Sequence, residues 1–173
     1  MKKEFPLFAE AFFSLREERI TQSLYFQYYD PSKIYYNLQK TGAIKGELNT
    51  IKENLQSYIN EDALHINGHL TKMIIDRSEL FFRDNNHEYP ILSFFITSTP
   101  YRLYSNQTNM VHLYAKPEII PYSAISCWNT CGFIERVVSN SDHKIDNSKQ
   151  NVSFFLKKGD IVGDHERISV ICK

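Results

Sequence analysis

Cysteine, histidine and the carboxylates are the groups in this chain able to hold a metal, attack a carbon or move a proton, and the densest run of candidates is Ser126-Cys127-Trp128-Asn129-Thr130-Cys131-Gly132. On a helical turn, residues four apart share a face. Cys127 and Cys131 so placed could bind a soft metal or exchange a disulfide. A zinc site needs a second ligand pair, and the nearest histidines, His112 and His143, each stand alone in the sequence. Reduced cysteine is also among the most buried residue types, so core packing competes with the metal reading. Trp128 divides the same way, between a ligand platform and a core anchor.

Proton chemistry points to the stretch from Lys157 to Arg167, where His165 lies close to Asp160 and Glu166. A carboxylate that orients an imidazole makes a general base, and His165 is the acid/base candidate. The Gly-Asp pairs around it are equally the chemistry of a solvated turn. His65 and His69 flank Asn67-Gly68, where two imidazoles meeting across a hairpin would hold a metal only loosely. A polar ligand, such as a sugar, would suit the amide-rich loop Ser105–Asn109, with Asn106 and Asn109 beside Tyr101, Tyr104 and Tyr114. An exposed turn uses the same residues.

Several classes are excluded by pattern. The chain has no Gly-x4-Gly-Lys-Ser/Thr phosphate loop, no Gly-x-Gly-x-x-Gly turn, no Gly-x-Ser-x-Gly elbow and no His-Glu-x-x-His helix. Lys plus Arg and Asp plus Glu both number 20, so there is no basic excess to release counterions from nucleic acid, and that partner is disfavoured. Glu4 and Glu10 interrupt the apolar run at the amino end that would otherwise suggest a leader, and no stretch approaches a membrane span. Three cysteines, an odd number, argue against a disulfide framework, which leads us to expect a reducing, cytoplasmic compartment.

The elements that must position these groups follow from hydrophobic period and turn chemistry. Over residues 4–19, Phe5, Phe8, Phe12 and Leu15 recur at helical spacing and predict a helix. Ile20–Tyr29 alternates as a strand. Asp30-Pro31 opens a short helix, with Asp30 as its N-cap, that stops near Gly42, and Gly46–Ile59 carries a helical stripe of Leu48, Ile51, Leu55, Tyr58 and Ile59. From about residue 61 the period becomes two. Asn67-Gly68 predicts a tight hairpin between Ala63–Ile66 and His69–Ile75. Further strands are expected at Ser78–Arg83, Ile91–Thr97, Tyr101–Tyr104, Met110–Ala115, Phe133–Val138, Val152–Leu156 and Ile168–Cys172, with an irregular link at Pro117 and Pro121. The expectation is one α+β domain over residues 1–173. Its mainly helical part, residues 1–60 with one strand, packs on a β part, residues 61–173, that forms an antiparallel sandwich or partly open barrel.

With 12 Phe, 11 Tyr and one Trp, the aromatic content exceeds what a charge-balanced domain of this size needs. Aromatics enrich in strands and at contact surfaces. The sequence therefore reads as a non-enzymatic binding or assembly module, using an aromatic-rich β surface toward a protein partner, a small polar ligand or a second copy of itself, and requiring no cofactor. The alternative is a small metal- or thiol-dependent enzyme built on Cys127, Cys131 and a histidine.

Overall fold

The computed structural model describes residues 4–172. In chain order it runs β1 (Phe5–Leu15), β2 (Ile20–Tyr29), α1 (Ile34–Thr41), α2 (Ile44–Glu61), β3 (Ala63–Ile66), β4 (His69–Thr71), β5 (Met73–Phe82), β6 (Pro90–Ser98), β7 (Thr108–Ile119), β8 (Ser123–Asn129), β9 (Gly132–Val138), β10 (Asp142–Ile145), β11 (Asn151–Leu156) and β12 (Ile161–Cys172). The fold is mixed α+β and rich in strand. A seven-stranded sheet has the order β10-β11-β8-β1-β2-β6-β5, a five-stranded sheet the order β4-β3-β7-β12-β9, and neither closes into a barrel. The pairs are antiparallel except β1 with β8, which run parallel.

The amino end departs most from expectation, because Phe5–Leu15 is a strand and not a helix. Its helical spacing is incidental. Ala9, Ala11, Phe13 and Leu15 form the alternating inward set, with Leu15 fully buried and Phe13 stacked on Trp128. Pairing with β2 on one side and β8 on the other places β1 in the interior of the sheet, where phenylalanine packs well. The register shift between Pro6 and Phe8 absorbs the missing N–H of the proline. Helical structure in the amino-terminal part is thus confined to residues 34–61.

Asp30 does serve α1, although the helix begins later than its position suggests. Its Oδ2 accepts a hydrogen bond from the Tyr35 backbone N–H at 3.0 Å, and its own N–H donates to Glu88 O at 2.8 Å. Asn67 and Gly68 both have positive φ, 52° and 82°, and close the β3–β4 hairpin as expected. The second arm is shorter than predicted, however. It ends at Thr71, and from Met73 the chain joins the larger sheet as β5. Tyr101–Tyr104 is not a strand, Ser123–Asn129 is one, and the carboxyl-terminal strand begins at Ile161, so His165 belongs to a strand and not to a turn.

Two clusters make the core. In one, Leu15, Ile20, Trp128, Val152 and Phe154 of the larger sheet meet Leu64, Ile66, Val111, Ile134, Ile168 and Val170 of the smaller. In the other, Ile75, Leu92, Phe94 and Ile96 of the larger sheet are covered by Tyr35 of α1 and by Ile44, Leu48, Ile51, Leu55 and Ile59 of α2. Gln56 fastens α2 to β5, accepting from Ile75 N–H at 2.8 Å and donating to Met73 O at 3.0 Å.

Cys131 and Cys172 are joined by a disulfide at the β9–β12 end, with Cα atoms 5.3 Å apart, and Cys127 is free. The odd count thus accommodates one bridge and one thiol, so an odd number of cysteines, which argues against a disulfide framework, does not exclude a single bridge. Beside the bridge, Gly132 packs so close to β12 that a Cβ there would collide with the Ile171 carbonyl. Gly132→Ala is expected to cost about 3 kcal/mol, the scale of overpacking against backbone that cannot yield. Urea unfolding of the two proteins under identical redox conditions measures it.

Candidate ligand cleft

The inner face of the larger sheet is covered by two separate elements, and a cleft of about 780 Å³ opens between them. Its floor is Phe26 and Tyr28 of β2, Leu92 and Phe94 of β6, and Phe154 of β11. One wall is the α2 stripe of Ile51, Leu55 and Ile59. The opposite wall is Leu113 and Ala115 of β7, with Val162 and Gly163 of β12. No residue of α2 is fully buried, although its apolar stripe faces the sheet. A helix docked directly on a sheet buries such a stripe; here the cleft keeps part of it accessible.

Aromatic packing shapes the interior. Phe26 meets Phe94 edge-on at 6.3 Å and Tyr122 at 5.9 Å, and Tyr28 lies 6.1 Å from Tyr35. Burial is the main cause that raises the Tyr28 and Tyr122 hydroxyls above the ordinary tyrosine value, with nearby glutamates adding to it. These rings stay neutral across the physiological range.

Carboxylates occur at the edges of this apolar space: Glu61 and Asp62 at the end of α2, Glu118 on β7, Asp164 and Glu166 on β12. Alternation along β12 sends Ile168 and Val170 inward, and Glu166 shares their parity. Desolvation pushes Glu166 up from the ordinary glutamate value, opposed by the hydrogen bond it accepts from Ser139 at 3.1 Å and by nearby His143. Asp62 is pushed up to about 6, first by desolvation and then by Glu118 and Glu61.

The side chains singled out in the sequence lie elsewhere. Trp128 is buried and stacks on Phe13 with centroids 4.1 Å apart. Tyr101 donates its hydroxyl proton to Arg16 O at 2.7 Å. Asn109 is fully buried and acts as a clamp: its Oδ1 accepts from Tyr104 N–H at 2.7 Å and Asn67 Nδ2 at 2.9 Å, while its Nδ2 donates to Tyr104 O at 2.8 Å and Gln107 O at 3.1 Å. Asn106 adopts the left-handed turn conformation, and its N–H donates to Cys172 O at 2.8 Å. Tyr104 is exposed beside this turn.

Cys127 and Cys131 do not form the pair that their spacing allows. The strand turns Cys127 toward Ser153, with Sγ and Oγ 3.3 Å apart, and Cys131 is taken by Cys172. Among the described residues, no three or more His, Cys, Asp or Glu side chains converge on a metal-binding geometry. His65 pairs across strands with His112 instead of meeting His69. His165 lies on the outer face of the smaller sheet, 4.8 Å from the Tyr114 ring, and Nε2 sits 3.3 Å from Asp164 Oδ1. Glu166 points to the opposite face, and Asp160 Oδ2 accepts from Lys157 N–H at 2.7 Å, so neither orients this imidazole.

The cleft residues had partial signals in the sequence. The α2 stripe was legible; Glu166 within an alternating apolar strand was a second, hidden because that stretch read as a turn. Asp62 and Glu118 had none, since only the fold brings them together. No protein-family model and no curated protein matches this sequence.

Because the folded-state value of Asp62 lies above 3.8, its protonated form is the one that suits the fold. That contribution is complete below the unfolded value and is lost as pH rises through about 6. Asp62→Asn is therefore expected to raise Tm at pH 7.5 by about 1–2 °C, a small gain because the group is partly solvated, and to leave Tm unchanged at pH 4. Thermal unfolding across this pH series measures the difference.

Proposed function

We propose that this protein is a non-enzymatic binding module whose ligand is an elongated apolar small molecule held between α2 and the smaller sheet. The observation that carries this reading is the 780 Å³ cleft with its aromatic and aliphatic lining. Pockets that hold small molecules are concave, mostly apolar and furnished with a few polar groups. In this reading the two sheets act as the layers of a sandwich, splayed at one end and plugged there by α2. The aromatic excess serves to line that opening.

A neutral fluorescent hydrophobe, N-phenyl-1-naphthylamine, tests the reading directly. It is expected to bind at one site with enhanced, blue-shifted emission. Ala115 lies on the same inward parity of β7 as Val111 and Leu113, so Ala115→Trp fills the cleft and should weaken binding at least about tenfold, because the added indole takes the ligand's space. Leu70→Ala, at an exposed position outside the cleft, serves as the control and should bind as the parent does. Absence of binding, or equal binding by Ala115→Trp, overturns the proposal.

A second reading, self-association, is favoured by the outer face of the larger sheet. Register places Ser153, Cys127, Phe12, Ser23 and Phe95 in one cross-strand row, and Phe155, Ile125, Glu10, Tyr25 and Ser93 in the next. Across β8, β1, β2 and β6 in these rows, Glu10 is the one charged side chain, while Phe12, Phe95 and Phe155 are exposed. A chain of zero formal charge offers a second copy no net repulsion. Light scattering on a sizing column is expected to show a dimer that Phe12→Lys converts to monomer; a parent protein that stays monomeric at high concentration removes this reading.

A further inference from the structure

The charges around the cleft are one-sided, and this narrows the ligand. Five carboxylates line it, those of Glu61, Asp62, Glu118, Asp164 and Glu166, against one cation, Lys116. Asp164 has His165 beside it and Glu166 has Ser139. Among the described residues, Glu61, Asp62 and Glu118 have no ion-pair partner, and Lys116 pairs with none of them. Glu61 is the last residue of α2 and Asp62 its carboxyl-terminal cap. The helix end is itself the negative pole of the macrodipole, where proteins ordinarily place lysine or arginine. The last turn of α2 contains no basic residue. Glu118 lines the same cleft, close enough to act on Asp62 electrostatically. Three like charges and a dipole end thus converge beside an apolar space, and the one cation in its lining, Lys116, pairs with none of them.

We infer that the cleft selects an amphiphile with a cationic end, an alkyl- or arylammonium compound, whose apolar body lies over Phe26, Phe94 and Phe154 and whose ammonium group sits between Asp62 and Glu118. This rests on the cleft being the ligand site. A carboxylate-headed chain such as a fatty acid would bring a fourth negative charge to the same opening and is selected against. The ammonium compound supplies the counter-charge that the fold leaves out, and desolvation of the walls strengthens the attraction relative to bulk water.

Displacement of bound N-phenyl-1-naphthylamine from the full chain at pH 7.5 tests the inference, using decyltrimethylammonium, decanol and decanoate as matched ten-carbon competitors. Decyltrimethylammonium is expected to displace the probe at about one-tenth the concentration of decanol, with decanoate weakest, as one favourable charge pair at a partly solvated mouth would give. The cation-to-decanol ratio, measured within each protein, should fall toward one in Asp62→Asn/Glu118→Gln. In the parent protein it should shrink at 1 M salt, where screening acts over about 3 Å. If the probe binds but decyltrimethylammonium is no better than decanol, or its advantage survives both the double substitution and high salt, the inference fails and the cleft reading stands. If the probe does not bind at all, the cleft reading fails and takes the inference with it.

Discussion

The constraint on which the rest of the structure depends is the width of the larger sheet's inner face. Seven strands at about 4.8 Å spacing span about 29 Å between the outermost pair. Five strands span only about 19 Å, and a helix adds about 10 Å. The apolar inner face must be kept from water, and the smaller sheet cannot do this alone. It covers the half that carries Trp128, Val152 and Phe154, while α1 and α2 cover the half that carries Ile75, Leu92 and Ile96. Covers of different shape meet along a seam, and the cleft is that seam.

The seam also accounts for the chemistry around it. Strand alternation commits every second residue of β7 and β12 to the interior, and where the covers part, that interior is no longer filled. A carboxylate such as Glu166 can occupy an inward position there because Ser139 satisfies it at the edge of the core. Deeper between the sheets an acid would cost far more. Asn109 shows the contrasting solution: it is fully buried, and four hydrogen bonds satisfy its amide and make it a structural rivet for the 104–109 turn. Both residues are polar and inward. The difference lies in depth: Asn109 is satisfied on every side within the core, and Glu166 at its edge by the Ser139 hydroxyl.

Much of the fold was legible in local pattern. The Asn67-Gly68 hairpin, the α2 stripe and the strands around Leu92–Ile96 and Val111–Leu113 all rest on short-range geometry that tertiary packing did not overturn, whereas the N-cap of α1 falls at Lys33 and not at Asp30. Phe5–Leu15 imitates a helix for a reason particular to interior strands. A strand paired on both sides and covered on one face can hold phenylalanines on both faces, and their combined spacing then imitates a helix. Ser123–Asn129 is masked in a similar way, because Cys127 and Cys131 suggest chemistry around a stretch whose first role is to pair with β1 and β11.

Taken alone, the sequence determined the class of the protein, mixed helix and strand with an aromatic surplus and balanced charge, because composition, period and turn chemistry are local properties. Tertiary structure alone decided which groups meet. Cys131 finds Cys172 across 41 positions, His65 finds His112, and Asp62 comes within electrostatic reach of Glu118. Strand order sets each of these encounters, and strand order follows from how two sheets and a helix pair divide one apolar face. That division spans the whole chain, so no local stretch of residues encodes it.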